Sequence, residues 1–221
     1  MIIHIVQPEE TIYSIAEQYG QNVDVLIRNN DVVDPNNLVV GQAILILFPD
    51  QTYIVQEGDT LANIAENNNI SIMQLLRNNP FLIGREFIYP GETLVISYAE
   101  EKLDTISTFG FVFPYVDLER LRLSMPFFTY LTIDGYTLNS NGQLNDINDD
   151  EIIQLAKAYS TAPVMTVSSF NVDISIVQNL LNNEELQNVL INEIIDIVRL
   201  KGYYAVNIDF YYIFPNDRQA F

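Results

Sequence analysis

The first hundred residues repeat themselves, and that repeat limits what the chain can fold into more than any other feature. The run His4-Ile5-Val6-Gln7-Pro8-Glu9-Glu10-Thr11-Ile12-Tyr13-Ser14-Ile15-Ala16-Glu17 is matched by Tyr53-Ile54-Val55-Gln56-Glu57-Gly58-Asp59-Thr60-Leu61-Ala62-Asn63-Ile64-Ala65-Glu66, an offset of 49 residues, Thr11 against Thr60. The register continues through Leu26 with Leu75 and Asn29-Asn30 with Asn78-Asn79, then slips by one residue before Gly41-Gln42 and Gly91-Glu92. Self-similarity at a fixed period marks a supersecondary unit used more than once. Each unit changes hydrophobic period inside itself. A short strand, His4-Ile5-Val6 in the first copy, gives way to helical spacing at Ile12, Ile15 and Ala16, and at Leu61, Ile64 and Ala65 in the second. Thr11 and Thr60 stand where an N-cap belongs. A second short helix carries Val23, Leu26 and Ile27, or Ile72, Leu75 and Leu76, and a closing strand follows at Ala43–Ile46 or Thr93–Ile96. The order is β-α-α-β, a unit so small that most of its apolar positions are needed to fold it.

Composition narrows the partners. The chain of 221 residues has 29 Asp and Glu against 10 Lys and Arg, a net charge of -19, which argues against nucleic acid and against anionic membrane surfaces as partners. Its 13 tyrosines and 12 phenylalanines predict packed cores. With no cysteine there is no disulfide framework and no thiolate site. The lone histidine, His4, aligns with Tyr53 in a strand and reads as a structural surface residue; the carboxylates lack ligand spacing, so neither metal nor cofactor is expected. No apolar run reaches membrane-spanning length, and Met1–Gln7 lacks the basic flank and apolar core of a signal peptide, so synthesis in the cytoplasm without membrane insertion is expected.

At Val55-Gln56-Glu57-Gly58-Asp59-Thr60-Leu61, Asn78-Asn79-Pro80 and Pro90-Gly91-Glu92-Thr93-Leu94 the chain resembles a LysM domain, and the first copy resembles it with Pro8-Glu9-Glu10 in place of the glycine–aspartate turn. The resemblance implies two domains, residues 1–49 and 50–98, each with a shallow groove for N-acetylglucosamine chains of peptidoglycan or chitin. It places that groove at Glu9, Glu10, Thr11 and Ile12 with residues 33–39 in the first copy. In the second it places it at Gly58, Asp59, Thr60 and Leu61 with Phe81, Leu82 and Ile83. Two weak sites on one polymer gain by avidity.

From Thr105 strands alternate with helices: strand-like 105–113, a helix at 116–123, a strand at 127–134, a helix at 152–159, a strand at 164–168, a long helix at 183–201 and a strand at 204–210. Such alternation predicts a parallel sheet whose functional groups sit at strand C-terminal ends, the address of Asp209. The stretches Phe128-Thr129-Tyr130-Leu131, Asn139-Ser140-Asn141-Gly142-Gln143-Leu144, Ala162-Pro163-Val164-Met165 and Gly202-Tyr203-Tyr204-Ala205-Val206-Asn207-Ile208-Asp209-Phe210 resemble the N-terminal half of a glycoside hydrolase family 18 barrel. In wording they are similar to the LysM-bearing hydrolases of spore cortex fragments. The expected fold class is therefore α/β and multidomain: two small βααβ LysM-like domains plus a truncated (β/α) half-barrel with parallel strands over residues 103–221.

The family's spaced acids map its aspartate onto Asp209, the preceding position onto Asn207 and its proton-donating glutamate onto Tyr211. Tyrosine, with an ordinary pKa near 10, is a poor donor to a glycosidic oxygen. Four strands also leave two parallel edges open, to be covered by a second copy, by spore surface proteins or by more chain. The expectation that follows is a non-catalytic binding and structural protein that recognises N-acetylglucosamine-containing glycan at a spore coat or surface. Two alternatives stand beside it. One is an N-acetylglucosaminidase acting on cortex fragments, drawing a further carboxylate from Asp134, Asp173 or a partner chain; the other is a purely architectural, self-assembling spore protein.

Overall fold

The computed structural model describes residues 1–85, 87–99, 104–211 and 213–221; the expected domain start at Leu103 and Tyr212 beyond the last strand lie outside them. The chain divides into two compact units, Met1–Thr105 and Ile106–Phe221.

The first unit holds the two repeats. In the first, β1 (Ile2–Ile5) pairs antiparallel with β2 (Ala43–Ile46), and α1 (Ile12–Tyr19) and α2 (Val23–Asn29) lie between them in sequence. In the second, β3 (Pro49–Ile54) pairs with β4 (Thr93–Tyr98), and α3 (Leu61–Asn67) and α4 (Ile72–Asn78) repeat the helices. The threonines start the first helix of each copy for the same reason. Thr11 Oγ1 accepts from the Ser14 amide at 3.1 Å while Ser14 Oγ accepts from the Thr11 amide at 3.0 Å. Thr60 and Asn63 make the same reciprocal pair at 3.1 and 2.9 Å. Two amides that no helical carbonyl could serve are thereby satisfied. Ile12, Ile15, Ile44 and Ile46 are fully buried in the first core, as are Leu75 and Leu94 in the second. Each such side chain contributes about 1.5–3 kcal/mol of transfer free energy.

One polar residue in each copy ties helix to closing strand. Asn79, 1 % exposed, donates through Nδ2 to the carbonyls of Leu75 (2.9 Å) and Val95 (2.8 Å) and accepts from the Val95 amide (2.8 Å). Asn30 does the same with Leu26, Leu45 and the Leu45 amide. The second asparagine of the Asn-Asn pair repeated in each copy thus serves the side of the strand that its β-partner leaves unbonded.

The second unit is a sheet of four parallel strands in the order β5 (Phe109–Val112), β6 (Tyr130–Thr137), β7 (Ala162–Ser168), β8 (Ala205–Asp209). Helices α5 (Leu118–Ser124), α6 (Asp150–Ala158), α7 (Ile174–Leu181) and α8 (Glu184–Ile197) make the crossovers, and α8 runs on into a π turn over Val198–Gly202. Leu131, Ile133, Tyr136, Met165 and Val167 project to the helix side, where they pack with Ile152, Ile153, Ala156, Leu180 and Leu190. The α/β architecture expected from the sequence, two βααβ units and a half-barrel of parallel strands, is the architecture present. The sequence reading left out α7, merging its span with loop, and stopped β6 at Asp134, three residues early.

A buried ionic cluster holds this second unit. Asp149, fully buried, accepts from Tyr136 Oη at 2.8 Å, from the hydroxyl of Tyr203 and from Lys201 Nζ at 2.6 Å. Burial pushes the Tyr136 phenol up to about 12. Burial pulls Lys201 down, yet its bonds to Asp149 and Tyr136 outweigh that and hold its pKa above the ordinary lysine value. The cluster joins the start of α6, the body of β6 and the entry to β8.

Candidate functional site

The side of the sheet away from the helices carries the chemistry. Register sets Thr166 on β7 beside Asn207 on β8, and Ser168 beside Asp209. On β6 the register slips between Ile133 and Tyr136, so that Asp134 and Gly135 together oppose a single residue of β7. Gly135 has φ +146, a backbone that a side chain would strain, and its Cβ would meet Ile147 and Pro114 at 3.2 and 3.3 Å. The bulge lets Tyr136 return to the helix side while Asp134 stays on the open side, within electrostatic reach of Asp209 across β7. Desolvation first, and the Asp209 carboxylate second, raise the Asp134 pKa above its ordinary value; a bond from the Gly135 amide opposes them. Asp134 is therefore the carboxylate of this open side whose proton affinity its surroundings raise.

Thr166 sharpens the picture. It is 2 % exposed, and its Oγ1 is the single buried side-chain polar atom without a hydrogen-bond partner among the described residues. Orphaned buried hydroxyls are rare and concentrate where a protein does something other than fold. At the rim, Ser169 Oγ accepts from the Tyr211 amide at 2.6 Å, and the Tyr211 ring tilts against Phe170 with centroids 5.8 Å apart. Tyr211 is 41 % exposed and opens on a pocket of about 300 Å³ lined by Ser169, Phe170, Asn171 and Val172.

The structure separates the two further carboxylates expected to serve as acids. Asp173 is the N-cap of α7; bonds from the Ser175 hydroxyl and amide, at 2.7 and 2.8 Å, hold its pKa below the usual range. A group so stabilised as an anion is a poor proton donor. Asp134 is shifted the other way and lies in the layer of Asp209. Sequence order could not pair them, because β6 and β8 are brought together only as the two neighbours of β7.

In the repeats, several expected glycan contacts are committed elsewhere. Ile12, Leu82 and Ile83 are buried in the cores, at 0, 1 and 7 % exposure, and have no apolar surface to offer a ligand. Glu10 Oε2 accepts from the Gln7 amide at 2.7 Å and from His4 Nε2 at 2.8 Å; the backbone bond and then the histidine hold its pKa low. Asp59 repeats this with the Gln56 amide and the Tyr53 hydroxyl, at 2.7 and 2.9 Å. Both carboxylates clamp the turn before the first helix. His4, bonded also to Tyr19 Oη at 3.1 Å, is 10 % exposed in its side chain and is an interior link, not the surface residue expected. Glu9, with φ +70, takes the left-handed backbone that Gly58 takes at +86. What remains on the grooves is the exposed rim of Glu9, Gly58 and Thr60 with the half-buried Thr11, Leu61 and Phe81. The sequence reading missed Phe87 and Tyr89, 63 and 60 % exposed in the loop before β4; aromatic residues just ahead of a closing strand were the available signal.

No helix among the described residues is long and apolar enough to cross a membrane, and no group of three or more His, Asp or Glu there could hold a metal ion.

Comparison with known proteins places this geometry. The model of the LysM domain matches residues 4–46 and 53–97. A Bacillus subtilis protein named as a sporulation-specific glycosylase, YdhD, is 31% identical over 225 residues, covering 100% of this chain and 53% of the relative. The cortical fragment-lytic enzyme of Bacillus anthracis is 24% identical over 225 residues, covering 98% of this chain and 52% of the relative. The crystal structure of the Bacillus cereus spore cortex-lytic enzyme SleL shares the fold, with a TM-score of 0.70 at 24% identity over 99% of this chain and 53% of that one. The chain spans about half the length of the curated relatives it matches. These relatives bear the names of enzymes, and that overturns the expectation of a non-catalytic binding and structural protein in favour of the enzymatic alternative. That expectation rested on Tyr211 at the place of the proton-donating glutamate and on the open four-stranded sheet; of the further carboxylates named beside it, Asp134 lies on the open side of β6 within electrostatic reach of Asp209.

Proposed function

We propose, on the premise that this chain carries two LysM domains followed by a family 18-like glycoside hydrolase region, that it is the binding and acid-bearing half of a glycosidase acting on peptidoglycan fragments of the spore cortex. The relatives' names supply the substrate class; the register that sets Asp134, Thr166, Asn207 and Asp209 on the open side of β6, β7 and β8 is the observation that carries the chemistry. Residues 1–49 and 50–98 hold the glycan strand, through the exposed rims of Glu9, Thr11, Gly58, Thr60, Leu61 and Phe81. The region from residue 103 onward acts on it at the spore surface.

In this reading the acetamido oxygen of an N-acetylglucosamine unit attacks its own anomeric carbon, and the bond to the departing sugar oxygen breaks as that oxygen takes a proton from the Tyr211 hydroxyl. Water then opens the cyclic oxazolinium ion to the free sugar and returns the proton to Tyr211. Asp209 orients the acetamido group and balances the positive charge that develops on it. Asp134, on the same open side of the sheet, is the second carboxylate there, and its charge and that of Asp209 act on each other across β7. Tyr211 occupies the place of the family's glutamic acid, where its hydroxyl is a weak donor. Asn207 keeps the layer uncharged beside Thr166, so only one negative charge needs to be carried there.

The test is release of fragments with N-acetylglucosamine at the new end from cortex digests, followed by chromatography and mass spectrometry. Asp209→Asn and Asp134→Asn should each lower the rate by about 10²-fold or more. Tyr211→Glu should raise it and make it less dependent on Asp134, since a better donor then stands at the glycosidic oxygen. If neither the unaltered chain nor Tyr211→Glu releases product, the enzymatic reading is wrong.

A further inference from the structure

The junction of the two repeats encloses a cleft of about 610 Å³, inside the range of sites for small ligands, about 300–1,000 Å³. One wall is α2 with Asp24 and Arg28; the other is the end of α4 and the start of β4, with Asn78, Phe81 and Glu92. Phe81 thus belongs both to this cleft and to the candidate groove of the second copy.

Cations are scarce in this part of the molecule. Residues 1–99 contain only Arg28, Arg77 and Arg85, yet two of these meet at one ring. The Arg28 guanidinium lies 4.4 Å from the Phe81 centroid and that of Arg85 lies 5.4 Å from it, both within cation–π range. Their states differ. Arg85 is paired with Glu92 at 2.8 Å, and Glu92 also accepts from the Tyr89 amide at 3.0 Å. Arg28 lies within electrostatic reach of Glu92 and helps to hold its pKa low, but makes no close ion pair or hydrogen bond among the described residues. Stacking on Phe81 fixes the plane of a guanidinium whose donors remain unused, which is the preparation that two-pronged carboxylate recognition needs. Asp24 and Glu92 balance the two arginines, so the lining suits one carboxylate and not a polyanion.

We propose that this cleft is a subsite for a carboxylate carried by a substituent of the glycan, gripped by Arg28 against Phe81. Resting on the peptidoglycan reading above, it gives that reading a feature by which peptidoglycan is told from chitin. The carboxylate has two sources with the same chemistry: a free lactyl group on a muramyl sugar, or the end of a peptide stem.

Calorimetric titration of the whole chain with three ligands tests it: chitotetraose, which has no carboxylate, a muramyl disaccharide with a free lactyl carboxyl, and a disaccharide-peptide, the last two also as methyl esters. The carboxylate ligands should bind the unaltered chain more tightly than their esters, and whichever gains more identifies the source. Arg28→Gln should weaken the carboxylate ligands about tenfold and leave chitotetraose unchanged. Glu92→Gln, which keeps an acceptor for the Tyr89 amide but frees Arg85, should tighten them. Equal loss for all three ligands with Arg28→Gln would mean that Arg28 only shapes the junction and would overturn the proposal. So would esters that bind as well as acids. If chitotetraose binds and carboxylates add nothing, this subsite fails alone; if none of the ligands binds, the glycan reading fails with it.

Discussion

Removing the Asn79 side chain beyond Cβ should nearly unfold the second repeat, and the size of the effect can be worked from its contacts. Asn79→Ala removes three hydrogen bonds of 2.8–2.9 Å from a residue that is 1 % exposed. At about 1 kcal/mol net per bond the loss is about 3 kcal/mol. The Val95 amide and carbonyl then face a cavity, which adds to that sum where water does not reach them. A unit of this size has a total stability of only about 2–7 kcal/mol. Asn30→Ala removes the same three bonds, but Asn30 is only half-buried and water can replace part of them, so it should cost about half as much. Native-state hydrogen exchange separates the copies: Val95 should lose about 10²-fold in protection in Asn79→Ala, with Leu45 unaffected. Urea denaturation followed by circular dichroism gives the free energy. A loss below about 1 kcal/mol, or an undiminished protection of Val95, would refute the idea that these asparagines hold the closing strand to the helix.

Glu9→Gly should leave the first repeat as stable or raise it by up to about 1 kcal/mol, since the left-handed backbone costs a residue with a side chain about 1–2 kcal/mol and glycine gives part of that back in chain entropy. Gly58→Glu should lower the second by about 1–2 kcal/mol; thermal denaturation that moves both variants the same way would contradict the account. Lys201→Met leaves Asp149 buried without its cation and should cost about 3–5 kcal/mol, read as a fall in the urea midpoint and in the near-ultraviolet tyrosine signal; a change under about 1 kcal/mol would show the cluster to be dispensable. Asp134→Asn should stabilise the second unit at neutral pH. The folded-state pKa of Asp134 is raised, so the unaltered chain loses stability as pH rises from the ordinary aspartate value through the raised one. The advantage of the asparagine variant should therefore shrink toward zero in acid, and a pH-independent difference would place the effect in packing and not in charge.

The repeats were legible because two copies of one unit carry the same cap, the same helical spacing and the same asparagine pair, and chance does not align all three. The helices of the half-barrel were less so. Asp173 caps α7 and Asn183 caps α8, with only Asn182 between that second cap and the end of α7, so an apolar stretch of eight residues, Ile174–Leu181, stands beside a much longer helix and is overlooked when its cap is not recognised. Gly135 looked like the end of β6, whereas its positive φ lets the strand pass a bulge and continue to Thr137. Ile12, Leu82 and Ile83 looked like ligand contacts because their position beside a groove is visible in sequence and their direction is not. The cleft between the copies was hidden by the repeat itself. Arg28 aligns with Arg77 and Phe81 with Val32, so the Arg28–Phe81 contact joins one copy to the other, and a reading that compares copies never sets Arg28 against Phe81.

The two ends of the half-barrel sheet are built by opposite rules. On the helix side, Asp149 is buried with a cation and two phenols, so its charge is met from every direction. On the open side, Asp134 is desolvated next to a carboxylate of the same sign, and Thr166 is buried with its hydroxyl unmatched. Nothing about folding requires this second arrangement: asparagine at 134 and valine at 166 would fit the same sheet with less strain in charge and hydrogen bonding. A sequence that satisfies its polar groups so completely on one side of a strand and leaves them unmet on the other is giving up stability locally. The two unmet groups, on neighbouring strands, stand in register with Asn207, two residues before Asp209. That coincidence is why we place the reacting sugar at this layer and not in the larger cleft of the first unit, where every described carboxylate except Asp24 already has a partner.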